Sequence, residues 1–382
     1  MRYRDFGRLA WKPSALGFGT MRLPAESGRA VRLLRLAIDR GVNYIDTSCA
    51  DRDGQAEIAV GKALRDGYRD RVKVATKAPV ARLESPAAAD RLLGEQLRRL
   101  GLAAADFYLF QGLEARSWAR AKEAGLLGWA EKARAAGRIG RLGFAYHGSS
   151  DLFRRVLDEY PGWDFCQINL NYLDVAFQAG VGGLRLAAER GLPVIAMEPF
   201  RAGCLVDPPG PVREVLDAAV AARGGRRPVD WALQWVWNQP EVSLVVAGMG
   251  SAAEVLENVA CAERSGVGRL TAAELATLAA AREACLRLGW AECSGCGACE
   301  PCPEDVDIQD GLRLHNQAVV FGQVRPGAGQ WLAATGAARC TACGECEARC
   351  PVGLRIAERL RETVGGAGGG IRTRTGGRPG RF

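Results

Sequence analysis

The chain has 382 residues but only two histidines, His147 and His315, and lysine is scarce. No apolar run approaches the roughly eighteen residues that a membrane helix needs, so a membrane span is not expected. The N-terminus, Met1-Arg-Tyr-Arg-Asp-Phe6, lacks the apolar core of an export signal. Aromatic residues make up 7% of the chain and are not interleaved with basic ones. The one basic cluster, Arg372, Arg374, Arg378 and Arg381 among glycines, therefore reads as a solvated tail rather than a nucleic-acid surface. With 48% hydrophobic and 25% charged residues, the rest has the balance of a soluble globular protein, large enough for one large domain and an appendage.

Cysteine is what the chain has in excess. There are 13, and eight fall into two runs near the C-terminus. Cys293, Cys296, Cys299 and Cys302 form C-x2-C-x2-C-x2-C-P; Cys340, Cys343, Cys346 and Cys350 form C-x2-C-x2-C-x3-C-P. Thiolate quartets of this kind also bind zinc, but two runs, each closed by Cys-Pro, point to two [4Fe–4S] clusters. The other five, Cys49, Cys166, Cys204, Cys261 and Cys285, are scattered singly. That is not a disulfide framework; it suggests small core fillers in a reducing compartment, the cytoplasm.

Upstream, short β-like runs alternate with helical stretches. The runs are Leu16–Met21, Asn43–Ser48, Val72–Lys77, Phe107–Gln111, Arg141–His147, Phe165–Asn169, Pro193–Glu198 and Ser243–Gly248. Stretches such as Arg29–Arg40, Ala87–Arg99 and Leu126–Ala136 have helical length and period. Eight such units have the size of a (β/α)8 barrel. The competing fold, a doubly wound open sheet, needs a Gly-rich phosphate turn that Leu16-Gly-Phe-Gly-Thr-Met21 matches poorly. Thr271-Ala-Ala-Glu274 reads as a capping box opening a helix that ends near Gly289. The expected division is a barrel over residues 1–268, a bridging helix and small, mainly α-helical iron–sulfur domain over 269–364, and a disordered tail over 365–382.

The cysteine-rich part repeats itself. Cys302-Pro-Glu-Asp-Val306-Asp-Ile308 mirrors Cys350-Pro-Val-Gly-Leu354-Arg-Ile356. The residues between the two runs are expected to be helical around Leu312–Val320. The duplication resembles the bacterial-type ferredoxins. That resemblance implies crossed ligation: Cys293, Cys296, Cys299 and Cys350 on one cluster, and Cys340, Cys343, Cys346 and Cys302 on the other.

The barrel part resembles the aldo/keto reductases, and with the cysteine runs it resembles the bacterial branch that carries a ferredoxin-like extension. The matching pieces are Leu16-Gly-Phe-Gly-Thr-Met-Arg-Leu-Pro24, Gly41-Val-Asn-Tyr-Ile-Asp-Thr47, Val74-Ala-Thr-Lys77, Gly143-Phe-Ala-Tyr-His147 and Met197-Glu-Pro199. Trp231-Ala-Leu-Gln-Trp235, Gly248-Met-Gly-Ser251 and Glu257-Asn258 complete the set.

The resemblance implies a catalytic tetrad of aspartate, tyrosine, lysine and histidine. Asp46 and Lys77 stand in place and are expected to pair. The tyrosine is replaced by Asp51 and the histidine by Gln111. Beside Lys77, Asp51 is expected to be drawn towards its ionised form; Gln111 keeps a hydrogen-bond donor. His147 is either a packed structural residue or a substitute acid–base group, with Tyr146 and Cys49 behind it. The resemblance further implies NADP(H) or NAD(H) bound by Gly19, Thr20, Met21, Gln167, Met197, Arg201, Gly248, Ser251, Glu254 and Asn258. Ala145-Tyr146 stand where a serine–asparagine pair often holds the carboxamide. Gly250 stands where a basic residue often reads the 2′-phosphate.

The leading expectation is an oxidoreductase whose barrel binds NAD(P)H and/or a small carbonyl or alcohol substrate, with the clusters transferring electrons and a redox protein as the expected partner. One alternative is a divergent barrel that has lost reduction and serves as a 4Fe–4S electron-transfer or scaffold protein. A cluster-based sensor is the third, and no DNA-binding motif supports it.

Overall fold

A computed structural model describes residues 1–223, 226–322 and 328–368. Eight parallel strands close in sequence order into a barrel. They are β1 (Leu16–Gly19), β2 (Tyr44–Asp46), β3 (Lys73–Pro79), β4 (Ala105–Leu113), β5 (Ile139–Tyr146), β6 (Phe165–Asn169), β7 (Val194–Met197) and β8 (Val242–Gly248). Each lies on one of the eight expected runs. Closure disposes of the open-sheet alternative: β1 pairs with β8 as well as with β2. Strands covered on both faces read as unbroken apolar runs, which is why they are visible in the sequence.

The helices have local causes. Among those that bear on the site are α1 (Ser27–Asp39), α2 (Gln55–Ala63) and α3 (Pro86–Leu100). At the start of α3 the Ser85 side chain accepts from the Ala88 N–H and Pro86 takes the first turn; Gly101 ends the helix at φ +66°. The capping box is present: Glu274 accepts from the Thr271 N–H at 2.8 Å, and the Thr271 hydroxyl accepts from the Glu274 N–H at 3.2 Å.

The barrel interior is layered large over small. Tyr44, Phe107, Phe165 and Leu244 from even-numbered strands fill it, with Phe6 packed among them. Phe107 and Phe165 meet edge to face at 5.2 Å between centroids. The odd strands make room: a Cβ on Gly17 would lie 3.1 Å from the Tyr44 ring, and one on Gly143 would lie 2.6 Å from the Phe165 ring. Catalytic groups of such barrels sit at the C-terminal strand ends, so this plug supports the rim that carries them.

The chain divides into two compact units, Met1–Val206 with Gly224–Leu278, and Asp207–Arg223 with Ala279 onward. The second has its own core, in which Val306 and Ile308 from one repeat and Leu354 and Ile356 from the other pack around the cysteines. The expected helix between the motifs is there as Ile308–His315, followed by a π-turn over Asn316–Val320. His315 is buried, with Nε2 3.0 Å from the Gly289 carbonyl, and burial holds its pKa below the ordinary histidine value. It is a packing residue. The expected start of disorder at 365 is too early: a helix runs Ile356–Gly368. The remainder of the expected tail, residues 369–382, lies outside the described residues.

Gly143 gives a direct test of the layered interior. A Cβ there also lies 2.7 Å from the Phe165 carbonyl oxygen, which cannot rotate away. Gly143→Ala should destabilise the barrel by about 1–3 kcal/mol, read as a lowered thermal midpoint; an unchanged midpoint would contradict the layering.

Candidate functional site

At the C-terminal rim, Lys77 of β3 donates to Asp46 Oδ1 of β2. Both side chains are buried, 9% and 7% exposed. The other Asp46 oxygen, Oδ2, accepts from Gln167 Nε2 on β6 at 3.2 Å. Three strands thus meet on one carboxylate. Gln167 Oε1 is buried and has no hydrogen-bond partner among the described residues.

Asp51 follows β2 and is part-buried. Its Oδ2 accepts from the Thr20 hydroxyl at 2.7 Å, and Thr20 Oγ1 lies 2.9 Å from Thr47 Oγ1. The expectation that Lys77 draws Asp51 towards its ionised form is overturned. Burial lifts the carboxyl above its ordinary value, and the opposing pulls of Lys77 and the Thr20 hydroxyl do not cancel it. Asp51 keeps its proton to a higher pH than a surface aspartate does.

Gln111, on β4, accepts from the Ser48 hydroxyl through Oε1 at 2.8 Å. The amide N–H2 end is thereby distinguished from the acceptor end. His147 lies just past β5 with an exposed side chain, and its backbone N–H donates to the Leu113 carbonyl at 2.8 Å. Tyr146 is buried, donates to the Ser149 carbonyl at 2.5 Å, and has its phenol pKa raised further by burial. Burial likewise pushes the Cys49 thiol up to about 11.

Behind β3 lies a polar network with no mark in the sequence. Buried Glu57 of α2 accepts from the Thr76 hydroxyl at 2.7 Å and pairs with Arg99 of α3 at 3.1 Å. Gln96 donates to the Lys77 carbonyl at 2.8 Å and accepts from the Tyr108 hydroxyl at 3.0 Å. These residues fix the strand that carries Lys77.

The loop expected to take the nucleotide follows β8. Gly248 is in register with Gly19, and Ser251 caps the helix Ala252–Glu263, accepting from the Glu254 N–H at 3.2 Å. Glu254 accepts from the Gly250 N–H at 2.9 Å and pairs with Arg22 at 3.3 Å. Arg22 is a cation that sequence reasoning missed: Gly250 has no basic side chain, but a different loop brings one. Asn258 is buried in the same helix, whereas Met21 is 62% exposed. Met197 ends β7, and Arg201 pairs with Asp174 at 3.0 Å.

In the second unit, a cavity is lined by Cys302, Cys340, Cys343 and Cys346, with Val306, Ile308 and Leu360 among its apolar walls. This is the crossed quartet, with one cysteine of the first run beside three of the second. An apolar cage of thiols suits a cubane, which is large, soft and bound at its corners. Of the other quartet, Cys299 is buried, Cys293 and Cys350 are part-buried and Cys296 is exposed. Backbone N–H groups of Gly295 and Leu354 point at the sulfurs of Cys293 and Cys350, at 3.3 and 3.4 Å. None of the thirteen cysteines is in a disulfide. No described helix is long and apolar enough to cross a membrane.

A model of the aldo/keto reductase family matches residues 15–283, and one of a 4Fe-4S dicluster domain matches residues 292–354. L-galactose dehydrogenase of Arabidopsis thaliana is 28% identical over 289 residues, 67% of this chain and 86% of that protein. An uncharacterized oxidoreductase of Bacillus subtilis (strain 168) is 37% identical over 78 residues; the match spans 20% of this chain and a quarter (25%) of that protein. Among solved structures, an aldo-keto reductase from Klebsiella pneumoniae in complex with NADPH aligns with a TM-score of 0.60 at 26% identity, covering 73% of this chain and 94% of that one. An aldo-keto reductase from Bacillus halodurans shares the fold, with a TM-score of 0.63 at 24% identity over 74% and 96% of the two chains.

A carboxyl whose pKa is higher folded than unfolded costs stability above both values and nothing below both. Asp51, raised by burial, is of this kind. Asp51→Asn should therefore raise the barrel's thermal midpoint at neutral pH, and the gain should fade as the pH falls below the ordinary carboxylate range. A gain that is the same at both pH values would refute the raised pKa.

Proposed function

The chain belongs to the aldo/keto reductase family and carries a C-terminal 4Fe-4S domain, and from that premise we propose that Asp51 takes over the proton handling of the absent tyrosine. The barrel binds NADP(H) or NAD(H) and a small carbonyl or alcohol. The nicotinamide group, when bound, supplies or accepts hydride. Gln167 holds the carboxamide through its unpartnered oxygen, and Arg22 and the N-terminus of the helix Ala252–Glu263 lie where a phosphate would be neutralised. Gln111, fixed by Ser48, orients the substrate oxygen. Asp51 gives that oxygen a proton in reduction and takes it back in oxidation.

The observation that carries this reading is the position of Asp51, part-buried and hydrogen-bonded to Thr20 at the rim that holds Lys77 and Asp46, where burial lifts its carboxyl above the ordinary aspartate value. A carboxyl is a stronger acid than a phenol, so its pKa must rise to serve near neutrality, where the pKa of a phenol must fall. Lys77, paired with Asp46, limits that rise and keeps Asp51 able to release its proton.

The cluster domain does different work. Clusters pass electrons singly, whereas hydride carries two. In this reading the clusters exchange electrons with a redox protein partner. Thirteen cysteines, none of them in a disulfide, fit a reducing cytoplasm.

Titration with NADPH and NADH, followed by nucleotide fluorescence and then by turnover with a panel of small aldehydes and ketones, tests the proposal. At least one nucleotide should bind and be oxidised. Carbonyl reduction should slow as the pH rises through the Asp51 pKa, because the protonated form is the donor, and alcohol oxidation should show the opposite limb. Asp51→Asn should cost roughly 10²–10⁴ in kcat and flatten that limb, with nucleotide affinity kept. Binding of neither nucleotide would leave the barrel as a scaffold and sink the proposal.

A further inference from the structure

Cys302 lies at the end of the first cysteine run, yet it lines a cavity with three cysteines of the second. Something must hold it there, because its chain neighbours belong to the other motif. The backbone on either side of Cys302 offers carbonyl oxygens, and two arginines take them. Arg349 donates to the carbonyls of Cys299, Glu300 and Pro301 at 3.2, 3.3 and 3.0 Å. It also donates to the Glu345 carbonyl of its own segment at 3.2 Å. Arg339 donates to the Glu304 carbonyl at 2.9 Å and to that of Asp305. Five carbonyls flanking Cys302, three before and two after, are therefore bound by guanidinium groups from the second motif.

Each arginine also sits immediately before a cysteine of that motif, Arg339 before Cys340 and Arg349 before Cys350. Movement of either guanidinium thus couples the Cys302 loop to the second run directly. We propose that Arg339 and Arg349 are positioning residues that form a clamp delivering Cys302 to the second cluster. The proposal rests on crossed ligation by Cys302, Cys340, Cys343 and Cys346.

The internal repeat makes the clamp one-sided. The positions equivalent to Arg339 and Arg349 in the first half are Glu292 and Pro301, from the offsets 340 − 293 = 47 and 350 − 302 = 48. Neither can donate in this way. Around Cys350 the described contacts are of another kind: the Leu354 N–H reaches its sulfur at 3.4 Å, and Glu347 accepts from the Ala357 N–H at 2.8 Å. The two halves share an ancestral pattern, but only the second cluster depends on the arginines. Arg is suited to the task because its planar fork carries five donors in fixed directions, and lysine has no equivalent.

The test counts clusters in anaerobically purified full-length chain by iron, sulfide and the electron paramagnetic resonance of the reduced protein. The unmodified chain should hold about eight iron atoms. The double variant Arg339→Gln with Arg349→Gln should fall towards about four, and the magnetic interaction between two reduced clusters should vanish from the spectrum. Adding Cys302→Ser to that double variant should cost nothing more, whereas adding Cys350→Ser should remove the remaining cluster. Arg349→Lys keeps the charge without the fork and should weaken retention of the second cluster alone. Full retention of both clusters in the double variant overturns the clamp, and so does equal loss of both. The pairing has its own control. Cys302→Ser with Cys340→Ser should leave about four iron atoms; loss of all iron would refute crossed ligation, and the clamp with it.

Discussion

The buried pair of Lys77 and Asp46 is the constraint around which the rim is organised. Two ions removed from water cost several kcal/mol each unless geometry and further hydrogen bonds repay them. Here the repayment comes from Gln167 on the free oxygen of Asp46 and from the Thr47 carbonyl 3.5 Å from the Lys77 ammonium. Gln96, donating to the Lys77 backbone carbonyl, holds the strand that carries the ammonium. The pair is neutral as a unit. Asp51 beside it would therefore add an uncompensated charge if ionised, which is why burial wins over the attraction of Lys77.

The same balance explains what could be read from the sequence. The strands were visible because a closed parallel sheet buries both faces and leaves continuous apolar runs. Asp46 and Lys77 were visible because they end two of those runs. The cysteine spacing and the paired Val306-x-Ile308 and Leu354-x-Ile356 were visible because a repeat displays itself. What stayed hidden depends on distance or on magnitude. Thr20 reaches Asp51 across 31 residues, and Arg22 reaches Glu254 across 232. The presence of Lys77 near Asp51 was legible, but whether desolvation or attraction prevails was not, since burial depth is a property of the assembled rim. The glycines near the end of the helix Ile356–Gly368 argued for a stop before its actual end, because propensity is a weak guide to the last turns of a helix.

The chain joins an aldo/keto reductase barrel to a 4Fe-4S domain, two kinds of unit whose chemistries differ in electron count. A barrel of this family works through hydride and a proton at one rim. The cysteine-rich unit is built for single electrons, in an apolar core where thiols face cavities and backbone N–H groups face sulfur. Its two halves are related by duplication, but they have specialised. The second half brings guanidinium groups to the first half's backbone.

That one-way dependence bears on how the protein is made. The carbonyls around Cys302 leave the ribosome 34 to 50 residues ahead of the arginines that bind them. Until Arg339 and Arg349 have been made, the backbone around Cys302 lacks the guanidinium groups that bind its carbonyls. The barrel can fold while synthesis continues, as domains at the front of a chain do. The iron-binding half cannot be completed in the same vectorial way: under crossed ligation the first run gains its fourth thiol only once Cys350 has been made, 48 residues after Cys302 (350 − 302).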